Sequence, residues 1–273
     1  MPNTYFPTLD EFYGKFYEAV VTSGKEPEFT KKWGLETLAD IYDILNNNVQ
    51  GGIASHRRTM LAAPTAGTVL NIGPGMGFCV FLLAELFDRV LVTEPDSENC
   101  AILERIANHY PTRRGNPAHE TVKLYQAGIS ITEEAVNYWN MKRTLMKKRN
   151  LKGSILNFTV EGAAELRDVL GEKVNRVYLH KVLSSLSISN TFENIITQAR
   201  EFLEPGGVIT WSEPGYVFED LLPLEGESLE SYLTPVCTEN RLQFQVENYI
   251  LSRQEGANDP AAGENWTLIK AKA

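Results

Sequence analysis

The stretch Gly67-Thr-Val-Leu-Asn-Ile-Gly-Pro-Gly-Met-Gly77 decides the fold of this chain. Its first part, Gly67–Ile72, is a short β-branched and aliphatic run that predicts a buried strand. Its second part has a glycine at every second position, which is typical of a loop whose backbone approaches a ligand closely. The next residues, Phe78–Phe87, have the apolar pattern of a helix. We therefore expect a strand, a glycine-rich loop and a helix in succession.

The residues after this unit continue the alternation of strands and helices. Arg89–Glu94 predicts a second strand, and Asp96–His109 predicts a second helix. Later strands are expected at Ile155–Val160, Arg176–His180 and Gly207–Trp211, with an antiparallel hairpin at Asn248–Arg253 and Asn265–Lys272. Such alternation predicts a mostly parallel sheet with helices packed against it, an α/β fold.

Two regions lie outside this minimal pattern. Residues 1–66 are predicted to form an N-terminal helical cap, whose first helix begins at a Thr8-x-x-Glu11 capping box. Residues 67–273 form the α/β domain. About forty residues between its second helix and Lys152 exceed what a short connection needs. Residues 110–152 are therefore expected to be a helical insertion that covers the domain as a lid.

Composition and charge argue against several classes of partner. Thirty-five acidic residues against 26 basic ones give a net charge of −9, which does not attract nucleic acid or anionic lipid. The longest apolar run, Phe78–Ala84, has seven residues, whereas a membrane-spanning helix needs about 20. The N-terminus has no signal-peptide pattern, which favours a cytoplasmic protein. The scattered Cys79, Cys100 and Cys237 predict neither a disulfide framework nor a metal site.

The spacing of the glycines distinguishes this loop from two common nucleotide-binding motifs. A dinucleotide fingerprint that starts at Gly73 needs a third glycine at the position of Phe78, and the G-K-[ST] ending of a P-loop is missing. Glu94 ends the second predicted strand 21 residues after Gly73. At this spacing a carboxylate accepts hydrogen bonds from ribose hydroxyls. An adenosine without a pyrophosphate is the ligand that fits this pattern.

Three motifs together resemble those of class I S-adenosylmethionine-dependent methyltransferases. They are V-L-N-I-G-P-G-M-G at residues 69–77, V-L-V-T-E-P-D at residues 90–96 and F-L-E-P-G-G-V-I at residues 202–209. The resemblance covers about two hundred residues, from Gly67 to the C-terminus. It implies a doubly wound, Rossmann-like sheet of seven strands in the order 3-2-1-4-5-7-6, with an antiparallel last hairpin.

The resemblance also implies which residues bind S-adenosylmethionine. Gly73, Pro74 and Gly75 border the methionine and ribose parts, Glu94 holds the ribose, and Pro95 flanks the adenine. Gly162, Ala163 and Ala164, after the third predicted strand, are expected to contact the edge of the adenine ring. At the end of the fourth, Leu179 and His180 face the sulfonium.

Two positions depart from the family pattern, Asn71 and Ala163, and Ala163 stands where the family usually has an acid that receives the adenine amino group. Asn71 stands where the family usually has an acid that helps to position the cofactor's ammonium group. An amide can accept a hydrogen bond but carries no charge, so the methionine part is expected to be held differently. Arg57 or Arg58, on the helix before the first strand, is a candidate partner for its carboxylate.

Candidate catalytic residues follow from the chemistry of methyl transfer, which needs alignment and, for some acceptors, a base. His180 is the best-placed histidine because it ends a central strand, where open α/β sheets bind ligands. Tyr178 lies two residues earlier on the same face of that strand, and an aromatic ring attracts a sulfonium. Asn140 belongs to a polar stripe on the expected insertion helix.

Three functions stay open on these residues. The first is methyl transfer from S-adenosylmethionine to a small-molecule acceptor. The second is intramolecular cyclisation to azetidine-2-carboxylate with release of methylthioadenosine, known for a few relatives of this fold and compatible with Asn71 and the expected lid. The third is a non-catalytic cofactor-binding subunit. The sequence names neither the acceptor nor the oligomeric state.

Overall fold

The computed structural model describes residues 5–46, 52–128, 164–182, 191–215, 228–251 and 264–273. The helices in these ranges are α1 (Leu9–Thr22), α2 (Glu26–Trp33), α3 (Asp40–Asn46), α4 (Ile53–Leu61), α5 (Phe78–Leu86), α6 (Ser97–Ala107), α7 (Leu166–Val169), α8 (Thr191–Phe202) and α9 (Leu229–Glu239). The strands are β1 (Thr68–Ile72), β2 (Arg89–Thr93), β3 (Val122–Tyr125), β4 (Ala127–Gly128), β5 (Ala164–Glu165), β6 (Val174–His180), β7 (Leu203–Pro214), β8 (Gln243–Leu251) and β9 (Glu264–Lys272). None of these helices is long and apolar enough to span a bilayer.

Seven of the strands form one sheet in the order β3-β2-β1-β6-β7-β9-β8. The pairs β1–β2, β1–β6, β2–β3 and β6–β7 are parallel, whereas β9 is antiparallel to both β7 and β8. Counted along the chain within this sheet, the order is 3-2-1-4-5-7-6. The predicted topology and its antiparallel last hairpin are therefore confirmed. The short strands β4 and β5 pair with each other in a separate sheet.

The third strand of the sheet differs from the one expected. β3 pairs with β2 over the register Val90↔Val122 to Thr93↔Tyr125, so the assignment of Ile155–Val160 to this position is wrong. β3 is a four-residue edge strand with partly exposed side chains. It lacks the continuous aliphatic run of a strand that is buried on both faces, which is why the pattern missed it. Residues 155–160 themselves lie outside the described residues.

The expected insertion also begins later than residue 110. Tyr110 is fully buried and donates its hydroxyl to Glu85 Oε1 at 2.9 Å. Ala118 is buried as well, shortly before β3. Residues 110–128 therefore belong to the α/β domain. The rest of the expected insertion, with Asn140, lies outside the described residues.

Alternate residues of the central strands pack on opposite faces of the sheet, as the two-residue period of a strand requires. On β2, Val90 and Val92 join the core formed with α1 to α6, whereas Leu91 joins the core formed with α7 to α9. On β6, Tyr178 belongs to the first core and Leu179 to the second. Each helical layer is thus held by its own set of strand residues.

The N-terminal helices are part of the first core. Helix α1 begins at the predicted capping box, in which Glu11 N donates to Thr8 Oγ1 at 3.3 Å and Thr8 N donates to Glu11 Oε2 at 2.8 Å. Phe12 and Phe16 of this helix and Phe29 of α2 are fully buried. These contacts bring α2 toward the carboxyl ends of β1 and β2. The strand order of the sheet reverses next to them, between β1 and β6. Ligands of open α/β sheets bind at this edge.

Candidate functional site

The glycine loop connects β1 to α5 through left-handed backbone. Gly73, Gly75 and Gly77 have φ values of 65°, 57° and 85°. A Cβ on Gly77 would lie 2.3 Å from a side-chain carbon of Leu103 on α6, so this glycine permits close helix packing. A Cβ on Gly73 or Gly75 would meet no atom closer than 3.9 Å. At the first two glycines the left-handed backbone, and not close packing, therefore favours glycine.

The turn is fixed by hydrogen bonds on both sides. Gly77 N donates to Pro74 O at 3.0 Å, and Gly73 N donates to Thr93 O, at the end of β2, at 3.0 Å. Pro74 is buried, whereas Gly73 is exposed. The loop is thus anchored to the strand that carries Glu94.

Glu94 lies beside this loop at the carboxyl end of β2 and is 5% exposed. Its Oε1 accepts from Asp96 N at 3.0 Å, and its Oε2 accepts from Asn99 Nδ2 at 2.9 Å. The same Asn99 amide donates to Gly75 O at 2.8 Å and so joins the carboxylate to the glycine loop. Burial raises the pKa of Glu94 to about 7.

Two residues that contact the region of Gly75 each have a buried polar atom without a hydrogen-bond partner among the described residues. One is Asn99 Oδ1, on a side chain that is 2% exposed, and the other is Trp33 Nε1, at the end of α2. The Cη2 atom of Trp33 lies 3.9 Å from the position of a Cβ on Gly75. Buried polar atoms in folded proteins are nearly always paired, so these two are available to a ligand as far as the described residues go. The sequence reasoning missed both residues.

The neighbouring Lys32 explains why α2 reaches this position. Its Nζ lies 2.6 Å from Asp96 Oδ2, and both side chains are 1% exposed. Asp96 also caps α6, because its Oδ1 accepts from Asn99 N at 2.8 Å. One carboxylate therefore holds the start of α6 and the end of α2 together.

A second polar region lies under α4, on the face of β6 that carries Arg176, Tyr178 and His180. Tyr178 Oη and His56 Nδ1 are 2.8 Å apart, and His180 Nε2 and Ser55 Oγ are 2.9 Å apart. The rings of His56 and His180 stack with centroids 3.9 Å apart. Tyr178 and His180 share one face, as predicted, but no motif indicated that α4 provides their partners.

Arg176 completes this region, which we call the α4 layer (Ser55, His56, Thr59, Arg176, Tyr178 and His180). The guanidinium is 1% exposed and donates to Met60 O at 2.6 Å, to Ala63 O at 3.3 Å and to Thr59 O. Its Nε donates to Thr210 Oγ1 on β7 at 3.0 Å. A cation at the C-terminal carbonyls of a helix is also favoured by the helix dipole.

Burial keeps the two histidines and the tyrosine of the α4 layer neutral. It lowers the pKa of His56 to about 3, with a smaller contribution from Lys181. Burial and the neighbouring His56 hold the pKa of His180 well below its ordinary range. Burial raises the pKa of Tyr178 well above its ordinary range. At neutral pH this region is therefore a network of uncharged rings and hydroxyls around one arginine.

Three other residues that were predicted for the site lie in three different environments. Asn71 is 1% exposed; its Oδ1 accepts from Cys79 Sγ at 3.1 Å and its Nδ2 donates to Tyr178 O at 3.4 Å. The Leu179 side chain lies in the opposite core, so it does not share the face of His180. Arg57 is exposed on α4.

Two further predicted positions lie near the carboxyl edge of the sheet. Pro95 is half-buried directly after Glu94. Ala164 begins β5 and pairs with Ala127, just after β3. Gly162 and Ala163 lie outside the described residues. The structure thus brings together Gly73, Pro74, Gly75, Glu94 and Pro95, and separately Tyr178 and His180.

Comparisons with known proteins give fold-level likeness. No model of a protein family and no curated protein matches the chain. The N-methyltransferase NodS from Bradyrhizobium japonicum, solved in complex with S-adenosyl-L-homocysteine, aligns over 91% of this chain and 97% of its own, with 13% identity and a TM-score of 0.49. Precorrin-6y C5,15-methyltransferase from Geobacter metallireducens aligns over 82% of this chain and 92% of its own, with 13% identity and a TM-score of 0.48.

Proposed function

We propose that this protein is an S-adenosylmethionine-dependent methyltransferase with a small-molecule acceptor. The observation that carries the proposal is the group of polar atoms around Gly75. A buried carboxylate lies beside the loop, together with an amide oxygen and the indole of Trp33, whose oxygen and N–H have no partner among the described residues. The motif series of the sequence favours the same cofactor.

The residues present fit an adenosine that carries an amino acid arm. Glu94 and Asn99 offer acceptor oxygens, which suit the two ribose hydroxyls as donors. Gly73 and Gly75 permit close approach of the arm to the backbone. Asn71 adds no charge, and both ends of its amide are used within the protein. We therefore propose that the cofactor's ammonium group is held without an acid at this position.

When bound, the cofactor supplies a methyl group on a cationic sulfur. Held beside Gly73, Gly75 and Glu94, it would give this methyl group to an acceptor lone pair, with the carbon–sulfur electron pair left on sulfur as S-adenosylhomocysteine and the acceptor's proton passed to solvent. The protein's part is to align the two reactants and to exclude water.

The α4 layer supports a positioning role for Tyr178 and His180. The low pKa of His180 makes this imidazole a weak base, and its Nε2 already has Ser55 as a partner. The hydroxyl of Tyr178 is likewise committed to His56. We propose that both residues fix the end of β6 beside the cofactor. Asn140 is retained as a candidate for contact with the acceptor.

Two measurements on the wild-type protein test the proposal. Calorimetry should detect binding of S-adenosylmethionine and S-adenosylhomocysteine but not of NAD, because the dinucleotide fingerprint is incomplete. Mass spectrometry should then find S-adenosylhomocysteine only when a pool of small amines, alcohols and thiols is added. Binding of NAD alone would overturn the cofactor assignment.

The same assay separates the two other functions. Methylthioadenosine that accumulates in proportion to enzyme, with no acceptor present, would establish cyclisation instead. Cofactor that is bound but never consumed with any acceptor pool would favour a binding subunit. Methylation of added RNA or DNA, with none of the small molecules, would overturn the proposed substrate class.

A further inference from the structure

Trp33 brings a hydrogen-bond donor from the N-terminal cap to the glycine loop. It is the last residue of α2, and the Cη2 edge of its ring lies 3.9 Å from the position of a Cβ on Gly75. Its Nε1 is buried and unpartnered among the described residues. An indole N–H can only donate, so it has a place for an acceptor that the described residues do not supply.

The position of Trp33 is fixed by its helix. Phe29, Lys32 and Trp33 have the i, i+3, i+4 spacing of one helical face. Phe29 is fully buried in the first core, and Lys32 forms the buried ion pair with Asp96. Gly34, with φ 64°, then ends the helix in a left-handed C-cap. The indole is therefore held in place before any ligand binds.

The polar groups around Gly75 differ in kind. Asn99 and Glu94 offer acceptors, whereas Trp33 offers a donor. In S-adenosylmethionine the hydroxyls of the ribose are donors, and the carboxylate of the amino acid arm is the anionic acceptor. A hydrogen bond to a carboxylate is stronger than one to a neutral oxygen. Arg57, the partner that the sequence suggested for this carboxylate, is exposed on α4.

We infer that Trp33 donates its indole N–H to the carboxylate of the cofactor and is thus a binding residue for the amino acid arm. The inference rests on the proposed function, because it assumes that the cofactor occupies the glycine loop. It assigns the N-terminal cap a direct part in recognition. A ligand must therefore have the carboxylate to form this hydrogen bond, and the adenosine alone is not enough.

Two ligands that differ in the arm test this assignment by calorimetry. S-adenosylhomocysteine has the carboxylate, whereas 5′-methylthioadenosine keeps the adenosine and the sulfur but lacks the amino acid. Trp33→Phe removes the N–H and keeps an aromatic ring. We expect Trp33→Phe to weaken S-adenosylhomocysteine binding about tenfold, the low end for a charge-assisted hydrogen bond. Binding of methylthioadenosine should change less than about twofold.

Lys31→Ala is the matched control, because Lys31 is exposed on the same helix. It should leave both affinities unchanged. An unchanged affinity of Trp33→Phe for S-adenosylhomocysteine would overturn the inference, and so would an equal loss for both ligands. If the wild type binds neither ligand, it is the proposed function that fails.

A measurement on the unmodified protein covers the case in which Trp33→Phe does not fold. The chain has four tryptophans, so ¹⁵N-indole labelling gives a small number of N–H signals. The Trp33 signal, assigned by elimination with Trp→Phe variants at the other three positions, should move downfield with S-adenosylhomocysteine. It should stay in place with methylthioadenosine. A signal that responds equally to both ligands contradicts the carboxylate contact.

Discussion

Beneath α4, Arg176, Tyr178 and His180 each have a hydrogen-bond partner on the helix, whereas at the glycine loop Asn99 Oδ1 and Trp33 Nε1 have none among the described residues. Both regions are polar, buried and built on the same face of the sheet. The α4 layer uses its polar groups to attach a helix. The glycine loop keeps some of its groups for a ligand. Polarity in a core is therefore no guide to function until its pairing is known.

The largest effect is expected from Arg176→Ala, which breaks the α4 layer. The change leaves the carbonyls of Thr59, Met60 and Ala63 without their donor and opens a cavity. We expect the free energy of unfolding, measured with urea, to fall by about 3 to 5 kcal/mol.

The control for this variant is Arg58→Ala on the same helix. Arg58 is exposed and pairs with Glu247, so its loss should cost less than about 1 kcal/mol. The folded fraction of Arg176→Ala should still bind S-adenosylhomocysteine as the wild type does. A specific loss of affinity at full folding would mean that the two regions are not separate.

Glu94→Gln should act mainly on cofactor binding, whereas Arg176→Ala acts mainly on the stability of the fold. The loss of a charged acceptor is expected to weaken S-adenosylhomocysteine binding by about 1 to 3 kcal/mol by calorimetry. Glu98→Gln is the control. It removes an exposed carboxylate that pairs with Lys32, and it should bind S-adenosylhomocysteine as the wild type does. Equal affinities of Glu94→Gln and wild type would remove Glu94 from the site.

The stability of Glu94→Gln sharpens the test through pH. The folded protein raises the pKa of Glu94 from 4.5 to about 7, so it binds this proton more tightly than the unfolded chain. The contribution of Glu94 to stability is therefore present below about pH 4.5 and is lost as the pH rises to about 7. Between pH 5 and 8 the wild type should lose stability relative to Glu94→Gln.

The smallest effect is expected from His56→Gln, which changes the acid response of the α4 layer. Because the folded state lowers the pKa of His56 to about 3, its stabilisation is present above pH 6.5 and is lost as the pH falls toward 3. The free energy of unfolding at pH 7, measured by thermal denaturation, should fall by only about 1 kcal/mol, since glutamine can still form a hydrogen bond with Tyr178. Between pH 6 and 4 the variant should lose less stability than the wild type. The exposed His119→Gln is the control for the substitution itself and should leave the free energy of unfolding at pH 7 unchanged.

Much of the fold could be predicted because its signals are local. The run from Gly67 to Gly77 contains a strand, a turn that requires glycine and a helix start, and Glu94 follows at a fixed spacing. β3 had no such signal, since a short edge strand needs few buried side chains. Its position depends on β2 and not on its own sequence.

The site was predicted only as far as its residues are close in sequence to the glycine loop. Glu94 was identified by spacing, but Trp33 and Lys32 reach the loop through a contact with Asp96 that spans 64 residues. No pattern in α2 indicates this partner. The same holds for His56, whose ring meets Tyr178 only when α4 packs on β6. Long-range pairing of this kind is visible in the structure alone.

The contact of Arg176 with Met60 O has a consequence for the order in which the chain folds during synthesis. The two residues are 116 positions apart, so α4 leaves the ribosome long before the strand that holds it. At translation rates of about 5 to 20 residues per second, the delay is on the order of ten seconds. During this time the side chains of α4 that will lie in the core have no native partner on β6. Although α4 comes early in the sequence, its packing can thus be completed only after β6 has been synthesised.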